Sequence, residues 1–145
     1  MSLTVRFLGT SASRPTVERN VASIAIVREG DTVLVDCGEG TQRQMMRYGI
    51  SFALADVFFT HLHADHVLGI IGLLRTLSLQ GRTDPMRIWG PAGTQRLMKR
   101  TEALGGERLS FAVEVTECAP GDSVARAGWA MIPFAVDHRG SPSLG

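Results

Sequence analysis

Two hydrophobic periods alternate along the chain. Leu3, Val5 and Phe7 recur at every second position of LTVRFLG (3–9), which predicts a strand. ASIAIVREGDTVLVD (22–36) holds two apolar stretches around Glu29 and Gly30, the pattern of two strands joined by a tight turn. TQRQMMRYG (41–49) predicts a short helix, with Thr41 as N-cap, Gln44 completing a capping box and Gly49 as the stop. ADVFFTH (55–61) reads as a short buried strand. HVLGIIGLLRTLSLQG (66–81) has apolar residues at 67, 70, 71, 74 and 77, a helical period that Asp65 or His66 would begin. MRIWG (86–90) is a strand pattern, and PAGTQRLMKRTEALGG (91–106) a helix ended by two glycines. FAVEVTEC (111–118), DSVARAG (122–128) and WAMIPFAVDH (129–138) predict further strands. SASRPTVERN (11–20) is a polar loop broken by Pro15, and CGEG (37–40) is a glycine loop. The class is mixed α/β, a sheet with helices outside it.

Composition narrows this only a little. The chain has 145 residues, 44% hydrophobic and 20% charged, which fits a globular domain and excludes disorder. A net charge of +1 makes no case by itself for nucleic acid or a membrane surface. The apolar runs are too short to span a bilayer, and the first residues do not read as a signal peptide. Cys37 and Cys118 read as two reduced thiols, which points to the cytoplasm.

The chemistry gathers between the strand pattern at 55–61 and the helix pattern that follows. His61, His63, Asp65 and His66 fall within six residues. His61 and His63 are two apart, so an extended backbone points both rings the same way. Asp65 and His66 follow where the chain turns into the helix. Imidazole nitrogens and carboxylate oxygens suit zinc. Burying four such groups unpaired would cost several kcal/mol, and a dication converts that cost into coordination. His138 ends the last apolar pattern, and parallel sheets gather functional residues at the carboxyl ends of their strands. His61, His63 and His138 together make three nitrogen ligands with a position left for water, the ligand count of a catalytic zinc. Asp36 ends a strand before two glycines, where its carboxylate can hold a ligand histidine's second N–H and fix its tautomer. Glu39 is expected to be exposed in the loop.

H-x-H-x-D-H at 61–66, with VDCGEG upstream and a strand-ending His downstream, resembles the metallo-β-lactamase superfamily. Within it, FLGTSASRPTVERN, DCGEGTQRQM, FFTHLHADHVLGIIGLL and DHRGSPSLG resemble ribonuclease Z, the tRNA 3′-processing endonuclease family. The resemblance runs over nearly the whole chain. It implies a four-layer αββα sandwich, of which these residues are about half. Residues 1–145 are then the N-terminal portion of a single domain whose remainder is not in this chain. A metal-bridging Asp, a last ligand His and an RNA-gripping arm belong to that remainder, so the isolated portion is expected to be inactive.

The same resemblance implies two zinc ions per complete active site: His61, His63 and His138 on the first, Asp65 and His66 on the second. Asp65 would also be the general base. Precursor tRNA would be cut to leave a 3′-hydroxyl, by a cytoplasmic homodimer with no membrane association. The family's loop reads Pro-x-Lys-x-Arg-Asn and senses the tRNA 3′ end. Pro15, Arg19 and Asn20 match it and become substrate-binding candidates, while Val17 stands where Lys is expected and Glu18 adds a negative charge. The departure bears on recognition of the mature CCA end more than on cleavage. Two other readings remain. One is another hydrolase of the superfamily, a phosphodiesterase or a thioester or lactone hydrolase. The other is a non-catalytic interaction module that keeps only a structural metal.

Overall fold

A computed structural model describes residues 1–145. Six strands form one sheet in chain order: β1 (Leu3–Gly9), β2 (Ser23–Arg28), β3 (Asp31–Val35), β4 (Asp56–Phe58), β5 (Met86–Gly90) and β6 (Val113–Glu117). The first three pair antiparallel, and β3 to β6 run parallel. Four helices follow the strands: α1 (Thr41–Tyr48), α2 (Ala64–Val67), α3 (Gly69–Leu79) and α4 (Thr94–Glu102). A separate ribbon, β7 (Val124–Arg126) with β8 (Trp129–Met131), completes the elements.

Register decides which residues meet. Arg6, Ala25, Leu34, Val57, Ile88 and Val115 stand in one row across the sheet. On this face Ala25, Leu34, Val57 and Ile88 pack with Met45 of α1, Ile70, Leu73, Leu74 and Leu77 of α3, and Met98 of α4 to form the core. The next rows face the other way. Phe7, Ile24, Val35, Phe58 and Trp89 make one, and Val5, Ile26, Val33, Asp56 and Arg87 the other. No helix covers this second face, and Leu3, Val5 and Phe7 are more than half exposed.

Asp56 lies on the second face and ties the ribbon to the sheet. Arg87 donates to both of its oxygens at 2.8 Å. Trp89 Nε1 and Arg126 of β7 each donate to Oδ1 at 2.8 Å. Burial pushes the Asp56 carboxyl up, but the hydrogen bonds from Arg87, Arg126 and Trp89 outweigh it and bring it down to about 2. Asp56→Ala strands two guanidinium groups and is expected to destabilise the chain by about 3 kcal/mol, the low end for breaking a buried pair because both arginines are partly solvated. In the native chain, the folded value lies below the ordinary 3.8. The contribution, roughly 2 kcal/mol, is therefore complete above about pH 4 and lost as the pH falls toward 2. Urea melts of both chains between neutral and acid pH check this: the gap must narrow in acid.

Several elements differ from expectation. Thr41 is the first helical residue and not the N-cap, which is Gly40 in the left-handed region at φ 79°. The Thr41 hydroxyl donates to the Gly38 carbonyl, and Gln44 Nε2 donates to the Leu8 carbonyl, so no capping box closes. The helix expected over 66–81 begins earlier and breaks at Leu68 into α2 and α3. There the Gly69 N–H leaves the helical ladder to donate to the Cys37 carbonyl at 2.9 Å. The strand expected over 55–61 stops at Phe58, because the Thr60 N–H turns to the Asp36 carboxylate. The helix expected over 91–106 spans only Thr94–Glu102, and the 122–128 strand only Val124–Arg126. The 129–138 strand ends at Met131, since Pro133 has no N–H to give a ladder. His138 therefore does not end a strand. It sits on an irregular return that pairs briefly with 143–145 around an isolated bridge of Ala135 with Leu144.

Candidate metal centre

The site forms at the carboxyl ends of β3 and β4. After β3 the chain turns through Asp36 at φ 62°. Two glycines then let two backbones touch: a Cβ on Gly38 would strike the Asp65 carbonyl, and one on Gly69 the Gly38 carbonyl. Cys37 N–H donates to the His66 carbonyl at 2.8 Å. The glycine loop is thereby locked against the turn carrying Asp65 and His66. After β4, residues 59–63 leave the sheet and present His61 and His63. His138 arrives on the return, held where the Leu144 N–H donates to the Thr60 carbonyl at 2.8 Å.

These segments bring the histidines together. One nitrogen from each of His61, His63 and His138 lies within 4.8 Å of the others. His63 Nδ1 and His138 Nε2 are 3.2 Å apart. Nitrogens about 2.1 Å from one tetrahedral ion lie roughly 3.4 Å from each other, so this pair fits zinc. His61 is buried, His138 partly buried and His63 exposed, which leaves one side open to solvent. The His66 ring lies 4.0 Å from that of His61, and His66 Nε2 is 3.5 Å from Asp65 Oδ2. All five candidate ligands thus stand in one place, as two adjoining groups.

A second layer orients them. Asp36 Oδ2 accepts from His66 Nδ1 at 2.7 Å and from the Thr60 hydroxyl at 2.8 Å. A hydroxyl has one proton to give. With it committed to Asp36, the Thr60 oxygen accepts from His61 Nδ1 at 3.0 Å. Both His61 and His66 then present Nε2 lone pairs to a cation. Burial, followed by the nearby charge of His66, lowers the His61 pKa, which suits a neutral ligand. Burial also lowers that of His66, but its bond to Asp36 and that carboxylate's charge outweigh this and raise it. Asp65 is pushed up by burial, yet the Ser13 N–H and His66 hold it below its ordinary value, so it stays ionised. Burial pushes the Cys37 thiol to about 12, which makes it inert.

Thr60 and Ser13 are the participants that pattern reading passes over. Thr60 joins Asp36 to His61, and the only hint was a hydroxyl directly before the cluster. The Ser13 N–H donates to Asp65 Oδ2 at 2.8 Å from a left-handed backbone, φ 64°. Nothing in a lone serine signals that.

The polar loop meets the site only through Ser13 among the contacts described. Pro15 and Arg19 are exposed. Asn20 has a structural position: its Nδ2 donates to the Glu39 carbonyl at 2.6 Å, and its own carbonyl accepts from Thr10 and Ser11. Glu39 is exposed. Asp36→Ala removes the common acceptor of Thr60 and His66, and metal affinity is expected to fall about 10–100-fold. Competition with a chromophoric chelator measures this, and an unchanged affinity would remove Asp36 from the site.

Comparison with known proteins extends the picture. A family model described as Anti-Pycsar protein Apyc1 matches residues 3–105. The ribonuclease Z of Gemmatimonas aurantiaca is 62% identical over 146 residues, covering 100% of this chain and 46% of that protein. The chain therefore spans about half the length of the curated relatives it matches. The crystal structure of the human tRNase Z short form superposes with a TM-score of 0.84 at 32% identity, covering 97% of this chain and 62% of that one. The metallo-β-lactamase fold protein YhfI from Bacillus subtilis superposes at 0.76 and 17% identity, covering 97% and 56%, a likeness of fold alone. Over its whole length the chain is similar to ribonuclease Z and carries a metallo-β-lactamase fold, and it belongs to the family described as Anti-Pycsar protein Apyc1.

Proposed function

We propose that this chain is the metal-ligating N-terminal portion of a zinc-dependent endoribonuclease that cuts precursor tRNA at its 3′ end and leaves a 3′-hydroxyl on the tRNA. The observation that carries the reading is the convergence of His61, His63 and His138 from positions up to 77 residues apart in sequence, in a chain 62% identical to a ribonuclease Z. His61, His63 and His138 would hold one zinc, and Asp65 and His66 contribute to a second. Zinc bound there supplies Lewis acidity and an activated water for in-line displacement at phosphorus. The chain's own residues do the rest. Asp36 and Thr60 fix the imidazole tautomers. Ser13 holds Asp65 Oδ2, which leaves Oδ1 to take the proton of the attacking water. Pro15, Arg19 and Asn20 stand on the loop that would meet the tRNA end. The resemblance to ribonuclease Z also supports a homodimeric, cytoplasmic enzyme.

The test joins residues 1–145 to the portion of the Gemmatimonas aurantiaca ribonuclease Z that they do not cover. Cleavage of precursor tRNA is then compared with that of bis(p-nitrophenyl) phosphate, with and without chelator. Chelator-sensitive cleavage at the tRNA 3′ end supports the reading. Turnover of the simple diester alone favours the small-molecule hydrolase. Metal binding without turnover favours the interaction module.

A further inference from the structure

A groove runs between the 11–20 loop and α1. Its lining includes Thr16, Glu18 and Asn20 from the loop and Arg43 and Arg47 from the helix, and it encloses about 640 Å³. One end of the loop is tied to the metal centre through the Ser13 bond to Asp65, the other to the start of α1 through the Asn20 bond to Glu39. Arg43 and Arg47 are four apart, so they share one helix face, and both are exposed. Arg47 and Arg6 lie over the Tyr48 ring at 5.8 and 5.4 Å. The ion pairs of the chain are made by Arg28, Arg87, Arg126 and His66, which leaves Arg6, Arg43 and Arg47 without a carboxylate partner. Arg43 and Arg47 are thus unpaired cations lining a groove that reaches about 9 Å down the helix from the turn nearest the site. Arg47 lies against an aromatic ring that Arg6 also meets.

We infer that this groove is a subsite for the phosphodiester backbone of single-stranded RNA, with Arg43 and Arg47 as the phosphate contacts. The inference rests on the ribonuclease reading and adds to it a path by which the strand leaves the metal centre. Guanidinium groups on one helix face suit successive phosphates, and Tyr48 is a shared cation–π partner of Arg6 and Arg47. Glu18 opposes them from the loop and limits affinity.

The test is binding of a fluorescein-labelled single-stranded RNA 12-mer to the 145-residue chain over a range of salt, without added metal. Arg43→Gln with Arg47→Gln should weaken binding about twentyfold at about 0.1 M salt and make the salt slope shallower by about 1.4, two contacts at about 0.7 each. Lys at both positions should restore most of the affinity, since a point charge still serves a phosphate. Arg96→Gln with Arg100→Gln, the matching pair on α4, should change little. Glu18→Gln should tighten binding a few-fold, a gain that misfolding cannot imitate. An unchanged slope in the Arg43/Arg47 variant, an equal loss in the α4 variant, or no gain from Glu18→Gln would overturn the subsite. Failure of the ribonuclease reading would look different: no precursor-tRNA cleavage by the joined protein, with RNA binding and its salt slope intact.

Discussion

Asp65→Ala in the joined protein should lower single-turnover cleavage of precursor tRNA by about 10²–10⁴-fold, the usual contribution of a positioned base. The expectation follows from how the carboxylate is held. Its Oδ2 accepts the Ser13 N–H at 2.8 Å and lies 3.5 Å from His66 Nε2. Burial works against the charge, but the Ser13 amide and His66 outweigh it, so the group is ionised at neutral pH and available to a proton or a cation. Binding should hardly move, because phosphate contacts distributed over the protein set RNA affinity. Filter binding should therefore give a dissociation constant within about threefold of the parent. Lost binding with unchanged single-turnover chemistry would refute the role. Asp65→Asn separates the two duties: an amide oxygen can still ligate weakly but takes no proton, so metal content should fall less than cleavage does.

Much of this centre was legible before the fold was known, for a physical reason. His61, His63, Asp65 and His66 are local: four ligand side chains of two types fall in six residues and stay near one another. The alternation of Leu3, Val5 and Phe7 likewise announced a strand, and the structure adds that this row faces away from the helices. Non-local placement was harder. His138 was expected at a strand end, yet Pro133 stops the ladder and the Leu144–Thr60 hydrogen bond delivers the ring instead. The break at Leu68 depends on a carbonyl from Cys37, thirty-two residues from the amide it receives. Periodicity over 66–81 carries no trace of that partner, so one continuous helix was the natural reading. The Thr41 cap failed for the same kind of reason. Gly38 offered its carbonyl to the hydroxyl and Leu8 offered its carbonyl to Gln44, and both competed successfully with the capping box.

Residues 1–145 purified alone should bind at most about one zinc and show little or no precursor-tRNA cleavage. Three imidazoles gather at one point, and three protein ligands suffice for a catalytic zinc. Asp65 and His66 offer only two more, and two seldom retain zinc against buffer. The second face of the sheet carries a further expectation. Leu3, Val5 and Phe7 are 65%, 51% and 59% exposed, and Ile132 and Phe134 are 63% and 62% exposed. Exposed apolar side chains of this number favour association of two copies through them. Light scattering behind a sizing column should give a mass above that of one 15.7 kDa chain. Phe7→Lys should return it to monomer, because a charge buried in such a contact cannot be desolvated cheaply. Metal analysis of the monomeric variant then counts zinc per chain without interference from the contact. Two tightly held zinc ions per monomer, with robust cleavage, would mean that residues outside the histidine cluster complete the second site within this chain.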